Sequence, residues 1–284
     1  MRILTKSPVL FLVALTASSA LFGQTGGSSP AKSQSHASAL DAHQIVERSV
    51  AATERNWHAR DDYTYIERDE DQRLDSLGNV KSENVDVTKT IVVNGAPFAQ
   101  LVEHNGRPPS AEEQSRSSEK LYNLEHETPQ ERIIRLGKDE ESKSFLRNVV
   151  EAFDFQLVGE GLAAGRPAYV LRVTPHPGYQ PHGKYGKIFS KVEGKLWIDK
   201  QNFGWIKVDG RVTRAFSMGL FVARMQRGSH VTLEETCMGD GVWLPKRIEL
   251  RASARILFFK SLDIDRILTY SDYLLATVPY SASK

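Results

Sequence analysis

The sequence predicts an α+β domain: a strongly curved antiparallel sheet, an incomplete barrel of about ten or eleven strands, with an N-terminal helix and inserted helices covering its concave face. Three observations carry this. Apolar and polar residues alternate with period two in short runs from residue 63 to residue 273. Two helical patterns fall between the early and the late runs. Finally, Ile248, Leu250, Ala252, Ala254, Ile256 and Phe258 alternate with Glu249, Arg251, Ser253 and Arg255 over a length that a flat sandwich seldom accommodates and a curved sheet does.

Taken in order, the chain opens with Arg2 and Lys6, an apolar run at 9–14 and the small residues Ala17, Ser18, Ser19 and Ala20. This is the order of a secretory signal, residues 1–23, with cleavage after Ala20 or Gly23. Its apolar run falls short of the roughly 20 residues of a spanning helix, so no stable membrane span is expected after cleavage. Residues 24–38, rich in Gly and Ser, form a flexible tether. A single domain is expected over 39–276, with a tail at 277–284. Val46, Val50, Thr53 and Trp57 mark one stripe of a helix over 40–57.

Strands are predicted at 63–68, 84–93 and 98–103, the last two joined by Asn94-Gly95, whose left-handed tolerance suits a two-residue hairpin. Ser110 with Glu113, and Thr128 with Pro129 and Glu131, are helix-start signatures, which predict helices over 110–126 and 129–153 as a charged insertion at about 110–153. Strands resume at 155–159 and 167–173 around a turn at 161–165. After a Pro- and Gly-rich loop at 174–186 come the hairpin strands 195–199 and 205–212, then strands at 220–227, 230–237, 242–257 and 262–273.

Little in this pattern carries chemistry. Formal net charge is +2, with 37 basic and 35 acidic residues, which gives no case for a nucleic-acid partner. Cys237 is the single cysteine, so an internal disulfide and a lipid-attachment cysteine at the signal are both excluded. No G-x-S-x-G is present. His176 and His182 form a local pair without a third ligand, and a solvent-exposed loop is the reading preferred for them. The carboxylates at Asp61-Asp62, Asp69-Glu70-Asp71 and 139–141 read as solvated groups at strand edges, turns and a helix face. GEGLAAG at 159–165 lacks the Lys-Ser/Thr of a phosphate loop and reads as a hairpin turn. No catalytic residue, metal or cofactor is expected. What remains is the apolar face of a curved sheet, either filled by the protein's own side chains or open to an apolar ligand; an acyl chain of about 15 methylenes gains on the order of 12 kcal/mol in gross transfer energy.

The stretches GKLWIDKQNFGWIKVDGRV (194–212) and GDGVWLPKRIEL (239–250) resemble the central hairpin and following strand of the outer-membrane lipoprotein-sorting group, of the LolA and LolB type. They also resemble the half-barrels of periplasmic sigma-factor regulators of the RseB or MucB type. The resemblance covers about 153–273 and implies an incomplete barrel whose helices act as a lid over an apolar cavity for acyl chains, with no enzyme activity and no metal. The inserted helices have no counterpart in it, and no binding residue transfers by motif. Leu196, Ile198, Ile206, Val208, Ile248, Leu250 and Ile256 are therefore expected to face inward, with Trp57, Phe145 and Val149 as lid contacts. The functional expectation is a periplasmic, non-enzymatic protein that carries or senses a lipid or lipoprotein acyl chain. The alternative is an envelope protein-binding sensor whose core is filled, with the charged insertion as docking surface.

Overall fold

A computed structural model describes residues 40–75, 77–135, 145–181, 186–218, 223–256 and 260–276. The sheet is antiparallel and open. Among the described residues there are twelve strands: β1 Tyr63–Leu74, β2 Val80–Val93, β3 Ala96–His104, β4 Phe153–Ala163, β5 Arg166–Pro175, β6 Val192–Asp199, β7 Trp205–Val212, β8 Phe216–Met218, β9 Ala223–Met225, β10 His230–Cys237, β11 Trp243–Ile256 and β12 Lys260–Leu275. Ten of them follow one path, β3-β2-β1-β12-β11-β10-β7-β6-β5-β4, and β8 and β9 form a ribbon against the far end of β11. The first strand pairs with the last, Tyr63 opposite Leu275, and this seam joins two meanders into one sheet.

Tight turns follow from local chemistry. Asn94-Gly95, Asn105-Gly106 and Ala164-Gly165 all have positive φ at both positions, which matches the mirror-image turns that continue the right-handed strand twist. The described helices are α1 Ala42–Arg60, α2 Ala111–Glu125, α3 Phe145–Ala152 and α4 Gly186–Phe189, with a further helical segment at 129–135. Both predicted helix starts are present: Ser110 and Glu113 exchange side-chain and backbone hydrogen bonds, and so do Thr128 and Glu131.

Three expectations are corrected. The expected helix 129–153 is seen at 129–135 and 145–152, residues 136–144 lying outside the described set, and Phe153 opens β4. Charged β1 runs to Leu74, well past residue 68. In the central hairpin a bulge between Trp197 and Ile198 pairs Ile198 with Trp205. Beyond it the alternation inverts: Trp205 and Val208 pack with Leu196 and Ile198, while Ile206 packs with Ala168, Trp197 and Trp243. Ile206 therefore does not face inward.

Candidate binding face

The concave face is best followed along one row of paired residues that crosses the whole sheet. Leu157, Leu171, Leu196, Val208, Leu233, Ile248 and Leu268 stand opposite one another from β4 to β12. The row then continues through Asp69, Asp86 and His104 on β1, β2 and β3. Seven apolar positions are followed by three ionisable ones, and the change falls at the β12–β1 seam.

Over β5 and β6 the apolar half is covered by the protein's own helices. Ile45, Val46 and Val50 of α1 pack on Leu171, Leu196 and Ile198, all between 0% and 7% exposed. Val149 and Ala152 of α3 cluster with Phe153 and Phe189, flanked by Phe155 and Val173. Burial of this kind is the main contribution holding a helix on a sheet, about 25 cal/mol per Å² of apolar surface. Three polar ties fix the register of α1: Trp205 Nε1 donates to Ser49 Oγ at 3.2 Å, Asn56 Nδ2 to the Gly241 carbonyl at 3.3 Å, and Arg60 Nη2 to Glu235 Oε1 at 3.1 Å. Glu235 is 4% exposed; burial pushes its carboxyl up, against the pull of Arg60.

Ile248, Leu233, Leu268 and Tyr270 form a second cluster with Val208, Leu250 and Val231 around it. Of the residues expected to face inward, Leu196, Ile198, Val208, Ile248 and Leu250 are thus brought onto one continuous surface, bridged by Val208, which touches both clusters. Val149 joins the α3 cluster. The side chains of Trp57, Phe145 and Ile256 lie outside what is described.

The polar half overturns the reading of Asp69 and Asp71 as solvated groups. On β1 the residues Tyr65, Glu67, Asp69 and Asp71 share one face with Tyr270, Leu268 and Arg266 of β12. Arg266 Nε donates to Asp69 Oδ1 at 2.7 Å and its Nη2 to Asp69 Oδ2. Burial pushes Asp71 up, opposed by Arg266 and Arg73, and its Oδ1 is enclosed without a hydrogen-bond partner among the described residues. Burial likewise raises Glu67, although the Tyr270 hydroxyl donates to it. The rings of Tyr65, Tyr270 and Tyr273 pack edgewise or tilted, 5.4 to 5.8 Å apart. The period-two run Tyr65, Glu67, Asp69, Asp71 is the signal of this face in the sequence, masked by the charge of three of its four residues.

On the convex side the hairpin motif has a structural role. Asp199 is 1% exposed and receives hydrogen bonds from Arg166 Nε at 2.6 Å and from the backbone N–H groups of Gln201 and Asn202. Burial pushes its carboxyl up, but these donors outweigh it and hold it below the ordinary range. Trp243 Nε1 donates to Asn202 Oδ1 at 2.9 Å and lies so close to Gly204 that a Cβ there would fall 1.9 Å from it.

His176 Nδ1 lies 2.8 Å from Asp154 Oδ1, and His182 is outside the described residues. Among the described residues no three His, Cys, Asp or Glu side chains are grouped to hold a metal ion, and no helix is long and apolar enough to cross a membrane.

No family model and no curated protein matches the chain. Among solved structures it is similar to a LolA superfamily protein from Nitrosomonas europaea, at 13% identity over 85% of this chain and 96% of that one, with a TM-score of 0.32. It is similar to a DUF1329 family protein from Desulfovibrio piger at 12% identity, 82% and 94% coverage and a TM-score of 0.30. The MucA/MucB complex of Pseudomonas aeruginosa follows at 13% identity, 81% and 94% coverage and a TM-score of 0.24.

Proposed function

We propose that this chain is an exported, non-enzymatic binding protein of the cell envelope whose ligand is a protein segment. The observation that carries the reading is the occupancy of the apolar concavity over β5 and β6 by α1. Leu171 and Ile198 are 0% exposed and Leu196 is 4% exposed beneath Ile45, Val46 and Val50. An acyl chain would have to displace α1 and leave its apolar stripe to water, at a cost of the same order as the chain's own transfer energy. Export is supported by the order of charged, apolar and small residues at the N-terminus.

A second reading, acyl-chain carriage, is favoured by one feature: Val208 makes the two apolar clusters continuous, so that withdrawal of α1 would open a single long surface. Native mass spectrometry of the mature protein from a periplasmic extract separates the two. The protein-binding reading expects the bare chain mass and no uptake of a fluorescent fatty acid. A stoichiometric acyl adduct removable by solvent overturns it in favour of carriage.

A further inference from the structure

Among the described residues, strands β1–β3 join the rest of the sheet through the β1–β12 ladder alone. The two ends of that ladder are built differently. At the Tyr63 end the join is apolar and tied: Tyr63 packs with Val242 and Leu244 and its hydroxyl donates to Asp240 Oδ2 at 2.6 Å. Tyr65 packs there against Tyr270 and Tyr273, and the Tyr273 hydroxyl donates to the Pro245 carbonyl. From Glu67 to Leu74 this character is lost. Along the row that crosses the sheet, each junction from β4 to β12 sets an apolar pair, the last being Ile248 with Leu268; at the seam Asp69 stands opposite Leu268 on one side and Asp86 on the other. Like charges directly opposite one another weaken a ladder.

Asp71 stands opposite Arg266 on β12 and Asn84 on β2, with Asp69 and Arg73 two residues away on its own strand. Arg266 is engaged with Asp69 through Nε at 2.7 Å and through Nη2, His104 Nδ1 of β3 lies 2.5 Å from Asp86 Oδ1, and Glu67 accepts from the Tyr270 hydroxyl. With Tyr65 and Tyr273, these are the described titratable and charged groups that face Glu67 and Asp71 from β1, β2, β3 and β12. Asp71 Oδ1 is enclosed with no hydrogen-bond partner among the described residues. Burial raises Asp71, Arg266 and Arg73 oppose it, and Asp69 and Asp86 add to it. Burial raises Glu67 as well, with Tyr270 and Arg266 opposing and Asp69 adding.

We propose that β1–β3 is a flap that opens along the β1–β12 seam from its Leu74 end, and that proton uptake by Asp71 and Glu67 closes it. An ionised Asp71 adds a third negative charge beside Asp69 and Asp86; a protonated one removes that charge and offers them a hydroxyl donor. Once the seam parts, both carboxyls meet water and the repulsion is relieved, so ionisation favours the open form. A carboxyl held above its ordinary value stabilises the closed form below its unfolded-state value, and that contribution is lost as pH rises through the folded one. Acid therefore tightens the seam and neutral pH loosens it. The tyrosines at the Tyr63 end act as the hinge, and opening bares the edge of β12 that β1 occupies.

Amide exchange of the mature protein at pH 5 and pH 7, corrected for the intrinsic effect of pH on exchange and read as protection, tests this. Amides from Glu67 to Leu74 and from Asp263 to Tyr270 are expected to gain roughly threefold or more in protection, relative to β5 and β6, from pH 7 to pH 5. At pH 7 the Leu74 end of β1 is expected to exchange ahead of its Tyr65 end. Asp71→Asn with Glu67→Gln is expected to show the parent's pH 5 protection already at pH 7 and to abolish the difference between the two conditions; if that pair does not fold, Asp71→Asn alone must shrink the difference. The proposal is overturned by seam protection that is unchanged or lower at pH 5, by β5 and β6 changing in step with the seam, by a Tyr65 end that exchanges first, or by variants that keep the parent's full response.

Discussion

If α1 fills the concavity, Ile198→Ala should behave as a core truncation and should couple to α1. Ile198 is 0% exposed and belongs to the cluster of Ile45, Val46, Val50, Leu171 and Leu196. Removing its three outer carbons costs about 0.8 kcal/mol each in transfer energy, and the void adds to this, so about 3 kcal/mol is expected. For a domain of this size that is a fall of about 6–12 °C in melting temperature. Val46→Ala removes two carbons, about 1.6 kcal/mol before any void. Because the two side chains share one cluster, the double variant should lose less than the sum, with a coupling of about 0.5–1 kcal/mol. Urea unfolding followed by tryptophan fluorescence measures all three. A cost below about 1 kcal/mol for Ile198→Ala, or strict additivity with Val46→Ala, would refute the argument, since it would mean that α1 is not seated on the sheet in solution. Leu157→Ala at the exposed edge is the control and should stay within about 0.5 kcal/mol of the parent.

Other expectations follow from the polar groups. The Asp199 carboxyl is held below its ordinary value, so its contribution is present above the unfolded-state value near 3.9 and is lost as pH falls through the folded one. Asp199→Asn should therefore lower stability at neutral pH and flatten the acid limb of the melting curve. Glu67 has the opposite sign: its folded value is raised, so it costs stability as pH rises through that value, and Glu67→Gln should raise the melting temperature at pH 7 with a gain that shrinks toward pH 4. Gly204→Ala places a Cβ against the Trp243 indole and should cost about 1–3 kcal/mol or more in chemical denaturation. Asn94→Gly keeps the left-handed turn but removes the two hydrogen bonds to the end of α2; amide exchange should quicken in α2 and not in β5 or β6.

Much of the fold is legible in the sequence where one face is wet and the other dry. Strand β10 runs over the residues its alternation predicts, and Asn94-Gly95 makes the hairpin turn that its tolerance of positive φ allows. Legibility fails where local pattern and tertiary setting part. The second half of β1, Arg68–Leu74, has no apolar residue before Leu74, yet it is central in the sheet, because Arg266 and the tyrosines supply partners that no local window reveals. Ile206 departs from its expected face because a bulge adds one residue to one strand, which no period-two pattern registers. Short β8 and the single turn of α4 have too few residues for any period to register.

The seam between β1 and β12 governs how the chain can reach its native state. Tyr63 finds Leu275 and Leu74 finds Asp263, so the strand that completes the sheet is made after every other strand described in it. Until it arrives, the meander β1–β3 has no neighbour to rest on and β11 presents an open flank. Pairings between such distant residues close large loops and are slow to form. A sheet assembled in this order keeps these two flanks open until β12 pairs with both β1 and β11.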